Sequence, residues 1–267
     1  MPTYLDKILA AHREAARADK RDLDRLEAEA GRRAAPRGFA AALKASPDVA
    51  VIAEIKRRSP SRGPLAPDLD PALLAQAYAG AGAACLSVLT DAEFFGGSAD
   101  DLIDARSAVE LPVLRKDFTI SPADVCDARL MGADAVLLIV AALTAAELDE
   151  LLGTAERLGL DALVEVHDEA EAEVALAAGA DVIGVNQRDL VSFEVDTDRA
   201  VRVARSLPGH VVRVAESGVR SRHDVRRLAD AGFDAVLVGE ALVTAPDPGA
   251  ALAALSAMAA MAAVEAS

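Results

Sequence analysis

The feature that most constrains this chain is a unit that recurs past residue 48. A helical segment ends at a glycine, a short turn follows, and an apolar β-rich run begins. The instances are "AGAGAACLSVL", "LMGADAVLLIV", "LGLDALVEV", "AAGADVIGV" and "DAGFDAVLVG". Glycine just past a helix end closes the last turn in the left-handed conformation, and the residues after it suit a short αβ connection. Adding "VAVIAEI", "LPVLRKD" and "HVVRVAE" gives eight strand candidates, starting near residues 49, 84, 111, 135, 161, 181, 210 and 235.

Between the strands lie segments with an apolar period near 3.6, such as 71–79, 145–157 and 222–231. Start signals precede several of them: Ser121-Pro122, Thr144 with Glu147, and Ser221 with Asp224. Strand and helix alternating through short connections mean right-handed βαβ units and a parallel sheet. Eight such units in a chain of 267 residues predict a (β/α)8, or TIM, barrel. An open doubly wound sheet is the alternative, and the missing G-x-G-x-x-G after the first strand argues against it. Residues 1–45 carry no strand pattern. "LDKILAAHREAARADKRDLDRLEAEA" reads as one or two charge-rich amphipathic helices packing on the barrel, so residues 1–267 are expected to form one domain with an N-terminal helical extension.

Composition excludes several classes of function. A net charge of -15 disfavours non-specific binding to nucleic acid or to an anionic membrane. The N-terminus shows no signal-peptide core, and the apolar run 135–146 is too short to span a bilayer. The Ala-rich tail from Ala250 is expected to be a packed terminal helix. A cytoplasmic protein is expected, with Cys85 and Cys126 as small buried residues rather than a disulfide pair.

In such a barrel, chemistry belongs at the C-terminal ends of the strands. Charges fall there. Strand 1 ends with Glu54 and Lys56, strand 3 with Lys116, strand 5 with Glu165, strand 6 with Asn186 and Arg188, and strand 7 with Glu216. A spacing of two within a strand points both side chains the same way. Three carboxylates and two lysines would then share one mouth, and buried unpaired charges cost several kcal/mol each, roughly. Such a cluster can supply an acid and a base near neutral pH. Without a histidine and with two lysines it is a poor cation cage, so no metal is expected.

"ESGVRS" after strand 7 and "VGEAL" after strand 8 place glycine-flanked backbone at helix starts, the usual phosphate cradle of this architecture. Ser217, Gly218, Gly239 and the amide of Glu240 would face the phosphate, with the Glu240 side chain turned away. Aromatic residues make up only 3% of the chain, so Phe94, Phe95 and Phe118 stand out beside the strand ends as candidates to stack on an aromatic substrate. His167 faces the mouth by strand parity and reads as a polar rim residue. His12, His210 and His223 read as surface or cap residues.

Taken in order and spacing, "IAEIKRRSPS", "FFGGS", "LRKDF", "LLIVAAL", "LVEVH", "GVNQRDL", "AESGV" and "VGEALV" resemble the indole-3-glycerol phosphate synthase family of tryptophan biosynthesis. The likeness runs from about residue 4 to the end. It implies a carboxy-lyase that works without cofactor or metal. The implied reaction converts 1-(o-carboxyphenylamino)-1-deoxyribulose 5-phosphate to indole-3-glycerol phosphate, carbon dioxide and water. By resemblance, Lys116 is the general acid at the ketone oxygen and Glu165 relays protons during condensation and dehydration. Lys56 contacts the substrate carboxylate or phosphate, with Glu54 as its base partner. Asn186 and Glu216 orient sugar hydroxyls and lysines. Arg188 and Ser59 hold the anthranilate carboxylate and the loop, and Phe95, Phe118 and Leu137 form the aromatic pocket. How the proton transfers divide among Lys56, Glu54 and Glu165 stays open. Two positions depart from the family pattern: Gln187 stands where many relatives have asparagine, and Glu240 where serine is frequent. An imine-forming aldolase or a sugar-phosphate isomerase on the same barrel is the enzymatic alternative. A monomer is expected, with a homodimer as the other possibility.

Overall fold

The computed structural model describes residues 3–60, 62–189, 191 and 193–256. Eight strands close into a parallel barrel: β1 (Ala50–Ile55), β2 (Cys85–Leu89), β3 (Val113–Lys116), β4 (Ala135–Ile139), β5 (Asp161–Val166), β6 (Val182–Asn186), β7 (Val212–Glu216) and β8 (Ala235–Val238). Each pairs with the next in chain order, and β8 returns to β1 with Ala50 opposite Ala235. Every strand begins within two residues of its expected start. Closure removes the open-sheet alternative.

Three helices precede the barrel: α1 (Tyr4–Ala18), α2 (Leu23–Ala30) and α3 (Phe39–Lys44). The outer layer continues with α4 (Pro71–Gly80), α5 (Ala92–Phe95), α6 (Ala99–Ala108), α7 (Pro122–Met131), α8 (Ala145–Arg157) and α9 (Glu169–Ala177). It ends with α10 (Arg199–Val203), α11 (Arg222–Asp230), α12 (Glu240–Val243) and α13 (Pro248–Ser256). Local chemistry explains the boundaries. Ser121 with Asp124, Thr144 with Glu147, and Ser221 with Asp224 all form reciprocal capping boxes, which satisfy backbone donors at the starts of α7, α8 and α11. At the other end, Gly132 closes α7 at φ 94°, a conformation that costs a side-chain-bearing residue a clash.

Strand alternation divides the apolar residues into two compartments. Ile52, Leu114, Leu137, Leu163, Val214 and Leu237 fill the barrel interior. Their neighbours Val51, Leu86, Val136, Val164 and Ile183 face outward against helix residues such as Tyr78, Leu102 and Leu151. The sequence predicts one or two helices ahead of the barrel, and the structure has three. The third spans six residues, too short to show a helical period. It closes the N-terminal end of the barrel, where Phe39 and Leu43 join the interior compartment. Asp161 Oδ2 accepts from the Ala40 amide (2.9 Å) and Asp134 Oδ1 from that of Arg37 (2.9 Å), which pins this plug to the strand starts.

With one end plugged, the C-terminal end is left to the site. Helix α2 packs on α7, whereas α1 reaches over the loops at the C-terminal end. At the other terminus α13 buries Leu252 and Leu255, and the rest of the Ala-rich tail lies outside the described residues. Among the described residues, no helix is long and apolar enough to cross a membrane. Cys85 and Cys126 are buried free thiols.

Candidate active site

Because β1 sends Ala50, Ile52 and Glu54 to the same side, the apolar stack of the barrel interior ends in a carboxylate and then in Lys56. The same step from apolar to charged occurs on β3 at Lys116, on β5 at Glu165, on β6 at Asn186 and on β7 at Glu216. These side chains meet in a cavity of about 330 Å³. Of the site residues expected from the sequence, all but Phe94 line it: the six above with Ser59, Phe95, Phe118, Leu137, Arg188, Ser217, Gly218, Gly239 and Glu240.

Lys116 is the hub. Its Nζ lies 3.3 Å from Glu165 Oε2 and 3.3 Å from Glu216 Oε2. Lys56 Nζ pairs with Glu54 Oε1. The Asn186 amide donates to Glu165 Oε1 (3.0 Å), and its oxygen accepts from the Arg188 backbone (3.0 Å). Two glycines make room for the carboxylates. A Cβ on Gly184 would fall 2.1 Å from Glu216 Oε1, and one on Gly239 would fall 2.1 Å from Glu54 Oε1. Sequence reasoning missed Gly184 altogether. The signal available was a glycine inside the β-branched run "VIGV", which marks close approach by another group.

The charges balance unevenly. Burial opposes the Lys116 ammonium, but Glu216, Glu165 and Glu54 outweigh it and hold the proton well above the usual lysine range. Burial also pushes the Glu165 carboxyl up, yet Lys116, His167 and the Asn186 amide together keep it below the usual carboxylate range. Glu216 goes the other way. Burial dominates, Lys116 offsets only part of it, and the charges of Glu165 and Glu54 add to the rise, lifting it to about 7. Among the described residues its Oε1 is buried without a hydrogen-bond partner, which suits a carboxyl that keeps its proton near neutrality. Beside the same ammonium, Glu165 therefore gives up its proton more readily than Glu216.

The walls differ from end to end. The rings of Phe95 and Phe118 stand 6.4 Å apart beside Leu137. Phe94 corrects an expectation: it does not line the cavity but packs edge-on against Tyr4, 5.9 Å between centroids. Phe193 adds an aromatic surface that sequence reasoning overlooked, at a left-handed φ of 61°. Lining the same cavity, Ser217 (φ 65°) and Gly218 (φ 77°) form two successive left-handed residues after β7. Gln187 steadies them by donating to the Ser217 carbonyl (2.7 Å). Glu240 pairs with Arg62 (3.1 Å), and Ser59 Oγ is buried without a partner among the described residues.

Two histidines belong to the surroundings. His167 Nε2 lies 3.5 Å from Glu165 Oε1, while its Nδ1 meets Glu171 (3.0 Å). His12 corrects an expectation: it is no simple surface residue. Its Nε2 lies 2.9 Å from Asp91 and 4.0 Å from Asp117, and its ring packs on Phe118. These three side chains have the spacing of a metal triad. However, Asp91 already accepts the Phe94 and Phe95 amides, and Asp117 accepts from Thr90, Arg115 and the Phe118 amide. The cluster serves as a hydrogen-bonded knot between segments.

The indole-3-glycerol phosphate synthase family model matches residues 5–255. The protein of that name from Mycolicibacterium vanbaalenii is 54% identical over 253 residues, covering 94% of this chain and 93% of the relative. Its counterpart from Mycobacteroides abscessus is 53% identical with the same coverage. Solved structures share the barrel at low identity. An N-acetylmannosamine-6-phosphate 2-epimerase from Clostridium perfringens aligns with a TM-score of 0.58 at 14% identity, covering 72% of this chain and 86% of the other. A thiamine phosphate pyrophosphorylase from Pyrococcus furiosus aligns with 0.58 at 18% identity, covering 78% and 93%. These two speak for the fold alone. The match along nearly the whole sequence carries more: the chain belongs to the indole-3-glycerol phosphate synthase family.

Proposed function

We propose that the cavity closes the indole ring of 1-(o-carboxyphenylamino)-1-deoxyribulose 5-phosphate, with Lys116 as the acid that starts the reaction. Family membership makes the chain a carboxy-lyase of tryptophan biosynthesis acting on a phosphorylated small molecule. The observation that carries the assignment to Lys116 is its place between two carboxylates in the cavity that the paired phenylalanines also line.

The steps follow from the charges. The ring carbon that bears the carboxylate attacks the ketone, whose oxygen gains negative charge as the ring becomes cationic. An ammonium aimed at that oxygen helps most at this moment, and a positioned acid contributes roughly 10²–10⁴ in rate. Carbon dioxide then leaves and its bonding pair returns to the ring. Dehydration follows: the hydroxyl departs as water after taking a proton, and the neighbouring carbon gives one up to a base. Glu165, the more ionised carboxylate, is the base. Lys56, charge-paired with Glu54, protonates the departing hydroxyl. Since a carboxylate leaves as neutral carbon dioxide, each turnover takes up one proton.

Binding uses the rest of the cavity. The aromatic ring lies against Phe95, Phe118 and Leu137, and Arg188 holds the carboxylate. Ser217, Gly218, Gly239 and the Glu240 amide hold the phosphate. Gripping both ends of a flexible substrate turns its binding into alignment. In this reading the enzyme works as a monomer in the cytoplasm. The large apolar side chains exposed among the described residues, such as Leu73 and Val174, each stand on a different element. Purified protein mixed with the substrate should produce indole fluorescence, and its absence with folded protein would defeat the proposal.

A further inference from the structure

We propose that His12 is a positioning residue for the reaction: from the N-terminal helix α1 it holds the loops after β2 and β3, so that Phe95 and Phe118 form the wall against which the substrate ring rests. Each loop is held through an aspartate that in turn fixes a phenylalanine. Asp91 accepts the His12 ring nitrogen on Oδ2 (2.9 Å) and the Phe95 amide on Oδ1 (3.1 Å). Asp117, next to Lys116 in the chain, accepts the Phe118 amide on Oδ1 (2.8 Å), the oxygen that lies 4.0 Å from His12. Its other oxygen is taken by Thr90 and Arg115. The His12 ring also packs on that of Phe118 at 5.4 Å between centroids.

The rest of α1 supports this placement. Tyr4 packs edge-on against Phe94 of the β2 loop and Phe193 of the β6 loop, 5.9 Å and 5.7 Å away. Arg13 reaches Glu147 and the Ala142 carbonyl beyond β4. The helix thus bridges four loops around the cavity, and His12 is its polar contact at the aromatic wall.

The latch is sensitive to pH. Burial works against the imidazolium, but the bond to Asp91 and the charges of Asp117, Asp91 and Asp124 outweigh it, raising His12 above the ordinary histidine range. Arg115 faces Asp117 from the other side. The charged latch is complete below about pH 6.5 and is lost as pH rises through the raised titration of His12.

His12 can act this way only where the cavity holds the substrate, and wild-type turnover reports on that separately from the variants. The test measures KM and kcat for the carboxyphenylamino sugar phosphate in His12→Ala and His12→Gln, together with melting midpoints. His12→Ala is expected to raise KM about tenfold, the scale of a hydrogen bond to a charged group, with kcat within threefold of wild type. His12→Gln keeps a donor without a charge and should recover most of that loss, and its KM should climb less steeply from pH 6 to 9 than the wild-type KM does. A lowered melting midpoint with KM unchanged would overturn the proposal, as would a fall in kcat alone. Should His12→Ala fail to fold, the glutamine variant decides, and a KM that climbs with pH as steeply as in wild type overturns it.

Discussion

Gly184 lies where any side chain would strike Glu216, a Cβ there falling 2.1 Å from Oε1. Glu216 is anchored at its other oxygen to Lys116, so the glycine on β6 sets the position of an ammonium presented by β3. Replacing Gly184 by alanine should push the carboxylate aside and turn Lys116 toward Glu165. Turnover is expected to fall at least a hundredfold, alongside an overpacking cost of roughly 1–3 kcal/mol. Steady-state kinetics and urea unfolding read the two effects separately. Activity within threefold of wild type would mean that the pair tolerates displacement.

Lys116→Ala should abolish nearly all turnover, a loss of at least the factor of roughly 10²–10⁴ that a positioned acid supplies, while indole-3-glycerol phosphate still binds. Removing the ammonium leaves Glu165 and Glu216 facing each other without their shared partner, so the variant should also lose more stability at pH 8 than at pH 5.5. A second arm separates acid from nucleophile. Borohydride added during wild-type turnover should leave Lys116 and Lys56 unmodified in a peptide mass map. A reduced adduct on either would favour an imine mechanism instead.

Glu216 gives a pH prediction with a definite sign. Its carboxyl is raised in the folded state from 4.5 to about 7, so the native protein binds the proton more tightly than the unfolded chain. The associated stabilisation is complete below pH 4.5 and is lost as pH rises through 7. Glu216→Gln removes that titration. Its stability relative to wild type should therefore rise between pH 5 and pH 8, as followed by urea midpoints. A difference that stays constant over that window would show that Glu216 does not hold its proton.

How far the sequence discloses this site depends on the distance over which a residue acts. The period of a strand turns spacing into direction, so Glu54 with Lys56, and Asn186 with Arg188, are legible as pairs that share a face. The glycines that end helices and the capping boxes at Ser121, Thr144 and Ser221 mark the units, and their number implies closure. What escapes is long-range. His12 sits on a charge-rich helix and meets Asp91 across 79 residues of chain, a contact that no local pattern encodes. Phe94 and Phe95 are adjacent, yet one faces Tyr4 and the other the cavity, because Asp91 caps the short helix α5 and fixes its rotation. The plug α3 is too brief for periodicity to show, although Phe39 is fully buried at the far end of the barrel.

His167 offers the last test, because it touches the site without lining it. Its Nε2 stands 3.5 Å from Glu165 Oε1, and its Nδ1 and backbone amide both meet Glu171. Burial lowers its proton affinity, but Glu171 and Glu165 outweigh that and raise it above the ordinary histidine range, so an imidazolium stands beside Glu165 on the acidic side of the profile, where Glu165 takes up its proton. With His167→Gln that positive charge is gone, and Glu165 should take up its proton at higher pH than in wild type. The acidic limb of the kcat profile should then move upward, with little change on the alkaline side. Glu171→Gln leaves the ring in place but weakens its hold on the proton, so the shift should be smaller and in the same direction. Rate profiles from pH 4.5 to 9 for both variants read this directly, and an unmoved acidic limb in His167→Gln would show that Glu165 depends on Lys116 and Asn186 alone.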